Sequence, residues 1–237
     1  FLSGEKWGDE AEGSAGGVVT WSLVGRGRTD IRDLSGFNTS PFSVDADTVL
    51  PFDAAIAMRE AFDTWAAVAN IEFVQVEDDN ARLGQSQQID IRVSFGEIDT
   101  ENGGILAFAF FPGLESVRGA VNGDMVFDSD ETAFYSDRDQ FLNVAIHEIG
   151  HAIGLDHEDS VQAIMNSFAS NQTELFADDI SGSQQIYGVQ DNAAVVLDMD
   201  SLVNDLSVLE EKAFQINGNA RNNDITGGDG DETIDGG

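Results

Sequence analysis

Apolar residues recur at helical spacing from Asp53 to Ala69, through Ile56, Phe62, Trp65 and Ala69, and predict an amphipathic helix there. The next stretch, Ile71-Glu72-Phe73-Val74-Gln75-Val76, alternates as a strand does. A first strand is predicted from Trp21 to Val24, after Gly16-Gly17-Val18-Val19-Thr20, and residues 25–50 are loop-rich in Gly, Asp, Ser and Pro. Further on, Phe141, Leu142, Val144, Ala145 and Ile146 form an apolar run that suits a buried helix, with Asp137 or Asp139 able to cap its start. Residues 191–215 are acidic, with Leu202, Leu206 and Leu209 at helical spacing, and predict a docked surface helix acting as a connector.

Charge and composition narrow this picture. The chain has 237 residues, enough for one domain with a core and a small appendage. Its 44 acidic and 11 basic residues leave a formal net charge of −33. That balance argues against nucleic acid or an anionic membrane surface as partner, and favours solubility and calcium. No run is long and apolar enough to span a membrane, and a monomer is expected. The absence of cysteine excludes disulfides. No signal peptide is visible, so Phe1 reads as a processed or trimmed end.

All three histidines fall in one eleven-residue stretch, His147-Glu148-Ile149-Gly150-His151-Ala152-Ile153-Gly154-Leu155-Asp156-His157. On a helix, His147 and His151 lie one turn apart on one face and can hold a Zn²⁺ from the same side. Gly154 can take the left-handed conformation that ends the helix and brings His157 round as a third ligand. Three protein ligands leave a fourth position open, as in catalytic zinc sites. Water there has its pKa lowered towards roughly 7. Glu148, next to the first ligand, is placed to take a proton from that water and deliver it to a leaving amine. The implied reaction is hydrolysis of a peptide bond.

The pattern H-E-x-x-H-x-x-G-x-x-H is the metzincin signature. The chain resembles the metzincin zinc metallopeptidases, and within them the matrixins and their bacterial relatives, over most of residues 15–189. Met165 lies eight residues after His157, a short spacing similar to the matrixin Met-turn. Ser167 stands where serralysins and astacins carry a tyrosine ligand, so three histidines plus water are expected. Asp178 to Gly188 resembles the matrixin C-terminal helix with its closing Tyr-Gly, and Gly103 to Phe110 the edge strand lining the cleft. The resemblance implies an α+β metzincin fold with a twisted, mixed, mostly parallel five-stranded sheet and three main helices. It also implies that Leu106 and Ala107 bind an extended substrate by β-augmentation.

The chain departs from the family at the structural zinc. Phe108 and Val126 occupy positions where histidines are usual, the loop from Phe95 to Gly103 is shortened, and no fourth histidine exists. One zinc is therefore expected, with apolar packing by Phe108 and Val126 in place of the second. The resemblance assigns structural Ca²⁺ to Asp128 with Glu131, and to Asp90 with Asp124; hard oxygen ligands on loops suit that ion. It also suggests that an N-terminal ammonium at Phe1 pairs with Asp179. The missing cysteine excludes a cysteine-switch propeptide within this chain.

Near the end, Gly227-Gly228-Asp229-Gly230-Asp231-Glu232-Thr233-Ile234-Asp235 is close to the nonapeptide of calcium-binding parallel β-rolls, and Gly218 to Thr226 fits it loosely with Ile225 in the apolar slot. Asp229 and Asp231 are the candidate repeat-calcium ligands. Such rolls need about three or more repeats, so a poorly ordered, truncated RTX-type stub is expected at 216–237. The expected organisation is a catalytic domain at 1–190, a connector at 191–215 and that stub. The function expected is a secreted bacterial zinc endopeptidase exported by the type I route, with proteins or peptides as substrates. Serralysins are the nearest alternative family. The alternative function is a non-catalytic, calcium-dependent adhesin or binding module on the same fold.

Overall fold

The computed structural model describes residues 2–27, 43–81, 89–99, 104–113, 121–191, 196–199, 205–209, 214–228, 230 and 232–236. The helix predicted from Asp53 is α1 (Ala54–Ala66), capped by the Asp53 carboxylate, which accepts from the Ile56 N–H at 3.1 Å. Its buried stripe runs through Ala54, Ala57, Met58, Ala61, Phe62 and Trp65. Ile56 lies off that stripe and is 55% exposed. The cause is phase: six residues separate it from Phe62, which turns it about 120° away from that side chain.

Five strands, β1 (Gly17–Leu23), β2 (Ile71–Gln75), β3 (Ile91–Gly96), β4 (Ala107–Ala109) and β5 (Met125–Asp128), form one sheet in the order β2-β1-β3-β5-β4. All pairings are parallel except β4 with β5. The remaining helices of this region are the short α2 (Thr132–Tyr135), α3 (Arg138–Ala152) and α4 (Ala177–Tyr187). This is the expected α+β arrangement, with α1, α3 and α4 as the long helices.

One face of the sheet supplies Val19, Trp21, Ile71, Phe73, Val93, Phe95 and Phe127 to a core shared with α1 and α3. Trp21 stacks on Phe62 and Phe62 meets Phe73, each pair with ring centroids 4.8 Å apart. Phe141 of α3 packs on Phe127 at 5.2 Å. Trp65 Nε1 donates to the Ile146 carbonyl at 2.9 Å and ties α1 to α3 inside this core. A buried indole N–H left without that acceptor would cost about 1–3 kcal/mol.

The other face of the sheet is covered in three different ways. At the β4 side, Val126 packs with Ile98 and Phe108 in a small apolar cluster, so Phe108 and Val126 do pack together as expected. At the centre, Arg92 pairs with Asp78 at 3.1 Å, and Asp78 also accepts from the Ser22 hydroxyl at 3.1 Å. At the β2 side, Val74 and Val76 join Leu197, Met199, Leu206, Val208, Phe214 and Ile216 from the C-terminal segment.

That segment differs from the expected helical connector and loose stub. It contains β6 (Val196–Asp198), β7 (Asp205–Ser207), β8 (Gln215–Asn217), β9 (Asp224–Thr226) and β10 (Thr233–Asp235), whose starts fall nine or ten residues apart. Alternate strands stack in parallel: β6, β8 and β10 in one sheet, β7 and β9 in another. The repeating strands thus begin about twenty residues before 216. Leu206 and Val208 point inward together while Leu209 is 45% exposed, a two-residue period that outweighs the helical spacing of the leucines. The segment docks where Val76 bridges Val208, Leu209 N–H donates to Gln75 O at 2.8 Å and Glu77 N–H to Ser207 O at 2.9 Å. These bonds cover part of the β2 edge, which would otherwise expose unpaired backbone groups.

Candidate metal and catalytic site

Helix α3 starts at Asp137, the Asp137 carboxylate accepting from the Asp139 and Gln140 N–H groups at 3.0 and 3.5 Å. Its apolar side enters the core and turns His147 and His151 towards the cleft. The helix ends in a Schellman motif: Gly154 has φ +102°, its N–H donates to His151 O, and the Leu155 N–H donates to Gly150 O, both at 2.9 Å. The reversal brings His157 back beside the helix. One ligand atom from each of His147, His151 and His157 lies within 4.8 Å of the others. Among the described residues, this is the one group of three or more metal-ligating side chains so arranged.

Backbone carbonyls orient two of the rings. His147 Nδ1 bonds Ile164 O and His151 Nδ1 bonds Leu155 O, each at 2.8 Å. Those bonds place the proton on Nδ1 and leave Nε2 as the free donor atom of each ring. His151 Nε2 lies 3.2 Å from His157 Nε2. Burial drives the His147 pKa down to about 3 and that of His151 down to about 4, with the neighbouring imidazoles adding to the shift. Both rings are therefore neutral at pH 7, the form that binds a metal. The Phe111 ring meets His151 edge-on, with centroids 5.5 Å apart.

Glu148 is 5% exposed, and burial pushes its pKa up to about 8. Its Oε2 is buried with no hydrogen-bond partner among the described residues. An orphaned carboxylate oxygen beside three converging imidazoles fits a site built around a cation and a polar reactant.

Met165 is 2% exposed and lies beneath this helix. A Cβ on Gly150 would stand 2.2 Å from Met165 Sδ, so only glycine admits the methionine this close. The Asp179 carboxylate holds the turn, accepting from the N–H groups of Ile164 at 2.8 Å, Met165 at 3.2 Å and Phe176 at 2.9 Å. Those three bonds occupy the residue that was expected to receive a terminal ammonium, and Phe1 itself lies outside the described residues. The local sequence gives no sign of this role for Asp179, which the family resemblance links only to a terminal ammonium. Ser167 is tied to Asp159 through its N–H at 2.8 Å and its hydroxyl at 2.9 Å.

A cleft of about 700 Å³ runs over the histidines and Glu148, between the 104–111 segment and residues 166–169. Strand β4 is the outer edge of the sheet here. Leu106 O accepts from the Asp128 N–H at 2.7 Å and from the Tyr135 hydroxyl, so it faces inward. Antiparallel alternation turns the peptide groups of Ala107 away from β5 and towards the cleft.

The carboxylates assigned to calcium do not line the cleft. Asp90 accepts from the Thr20 N–H at 2.8 Å and from its hydroxyl at 2.9 Å. Asp124 accepts from the Arg92 N–H at 2.8 Å. Asp128 accepts from the N–H groups of Asp99 and Asp130 at 3.3 and 3.0 Å, and Glu131 is buried nearby. Asp229 and Asp231 lie outside the described residues.

Burial pushes the Asp124 pKa up to about 7, although the Arg92 N–H and guanidinium pull it down. The folded protein therefore holds this proton more tightly than the unfolded chain, whose value is near 3.8. Stability from this group is full below pH 4 and is lost as pH rises through 7. In calcium-free buffer, Asp124→Asn is expected to gain about 2–4 kcal/mol on wild type between pH 4 and pH 8. Urea unfolding at both pH values measures it, and a difference that does not change with pH would refute the assignment.

Comparison with known proteins bears on the same region. The family model for matrixin matches residues 42–188. Human matrix metalloproteinase-15 is 36% identical over 150 residues, covering 57% of this chain and 22% of the relative. Horse interstitial collagenase is 36% identical over 150 residues, covering 59% of this chain and 29% of the relative. Rabbit macrophage metalloelastase is 35% identical over 142 residues, with 57% and 29% coverage. The chain thus spans between a fifth and a third of the length of these curated relatives.

Proposed function

This chain belongs to the matrixin family, and from that premise we propose that it is a zinc-dependent endopeptidase acting outside the cell on proteins or peptides. The observation that carries the proposal is the convergence of three imidazoles beside a buried carboxylate, one oxygen of which has no partner among the described residues. His147, His151 and His157 would hold the zinc. When bound, zinc supplies a Lewis acid that lowers the pKa of water and polarises a carbonyl. Glu148 accepts the proton of the attacking water as the scissile carbon–nitrogen bond is hydrolysed. It then gives that proton to the departing amine, leaving one new carboxylate and one new amine.

The substrate backbone lies extended along β4 beside Leu106, where the outward-facing peptide groups of Ala107 bond it as an added strand. Phe111 meets the His151 ring edge-on, and Met165 supports the helix from beneath at Gly150. A purely adhesive module gains nothing from a buried Glu148 whose Oε2 has no partner among the described residues, which only costs it stability. We further propose calcium at Asp128 with Glu131 and at Asp90 with Asp124. The five evenly spaced strands from Val196 onward support reading the C-terminal segment as a calcium-binding roll of the RTX type, with Asp229 and Asp231 among its ligands.

Cleavage of a quenched peptide tests the main proposal. A zinc chelator should abolish turnover and stoichiometric zinc should restore it. Turnover that persists in a chelator, with zinc shown to be removed, would sink it.

A further inference from the structure

The turn that delivers His157 is held by the N-terminal residues of the chain. An α-helix leaves its last carbonyls without intrahelical partners. From the last residue of α3 onward, four consecutive carbonyls find donors in other ways. Ala152 O accepts from Trp7 Nε1 at 2.8 Å, and Ile153 O accepts from the Tyr187 hydroxyl at 2.8 Å. Gly154 O accepts from the Ser3 N–H at 2.9 Å, and Leu155 O is bonded to His151 Nδ1 at 2.8 Å. The Tyr187 oxygen also accepts from the Trp7 N–H at 3.2 Å. Leu2 forms an antiparallel bridge with Leu155. The contact is close: a Cβ on Gly154 would stand 2.4 Å from Glu5 O.

We infer that residues 2–7 are a positioning element of the metal centre, a strap that fixes the 152–155 turn and through it the orientation of His151 and the placement of His157. The inference rests on the zinc reading proposed above. His157 is exposed and is the one histidine of the three beyond the helix, so helix geometry does not place it. Its position depends on the turn, and the turn depends on donors from Ser3, Trp7 and Tyr187. A ligand that spends part of its time elsewhere lowers affinity by that fraction. Outer-sphere partners of metal ligands are commonly worth about 10–100-fold in affinity.

The test uses the full chain loaded with zinc. Trp7→Phe keeps the ring and removes the N–H given to Ala152 O. Ser3→Pro removes the N–H given to Gly154 O. Zinc release to a chromophoric chelator is followed, together with the visible spectrum of the Co²⁺-substituted protein and the kcat and KM of peptide cleavage. Each variant should release zinc about tenfold faster and alter the Co²⁺ bands. Peptide kcat should fall while KM stays within about twofold, because β4 is untouched. Val208→Ala, which weakens the distant contact of the C-terminal strands, serves as a control for general destabilisation and should release zinc at the wild-type rate. Wild-type release and spectra in both strap variants, or equal acceleration in Val208→Ala, would overturn the inference while leaving the zinc reading intact. Failure of the wild-type chain to take up zinc would overturn both.

Discussion

Glu148→Ala should keep one zinc per chain and hydrolyse peptides about 10²–10⁴-fold more slowly than wild type, the range in which a general acid–base group contributes. The carboxylate is not one of the three converging ligands, so its removal leaves the metal held. It is 5% exposed, and one oxygen has no partner among the described residues. In the metal-free protein, burial alone pushes its pKa up to about 8. A bound dication favours the charged form and reverses that effect, which prepares the group as a base. Metal content by elemental analysis, set beside turnover of a quenched peptide, decides the matter. Turnover at the wild-type rate with zinc bound would remove Glu148 from the mechanism.

Ile216→Ala should lower stability by about 2–5 kcal/mol, the usual cost of emptying a buried aliphatic site. For a chain of this size that corresponds to a fall in thermal midpoint of roughly 5–15 °C. Ile216 is fully buried and lies in β8, the central strand of its sheet, among Val74, Val76, Leu197 and Leu206. Its loss weakens both the stacking of the C-terminal strands and their hold on β2. Limited proteolysis should accordingly cut the segment beyond residue 191 first, with zinc still bound at the histidines. A midpoint within about 1 °C of wild type would show that the docked segment contributes little to the fold.

The parts legible in the sequence are those written in local pattern. The stripe through Phe62 and Trp65, the run from Phe141 to Ile146, a cap at Asp137 or Asp139 and the turn at Gly154 all depend on neighbours within a few residues. Helix period and the permissiveness of glycine determine them. Ile56 shows the limit even there, since it is apolar and helical yet off the stripe. Partners far apart in the chain were not legible. Nothing local to Asp179 says that it holds the Met165 turn. Trp7 belongs to no local pattern, yet its N–H groups reach Ala152 and Tyr187.

By itself the sequence determined that His147, Glu148 and His151 share a helix and that His157 follows a glycine turn. Spacing on a helix is a matter of backbone geometry, so those relations hold wherever the helix is placed. Only the tertiary structure decided what surrounds them. It set the ring nitrogens through Ile164 O and Leu155 O, left Glu148 Oε2 without a partner among the described residues, and bound the turn to Ser3 and Trp7. It also turned an apparent leucine-spaced connector into strands, because Val74 and Val76 leave an apolar sheet face that must be covered. Burial and pairing belong to whichever segments meet in space, and a one-dimensional pattern carries no record of that meeting.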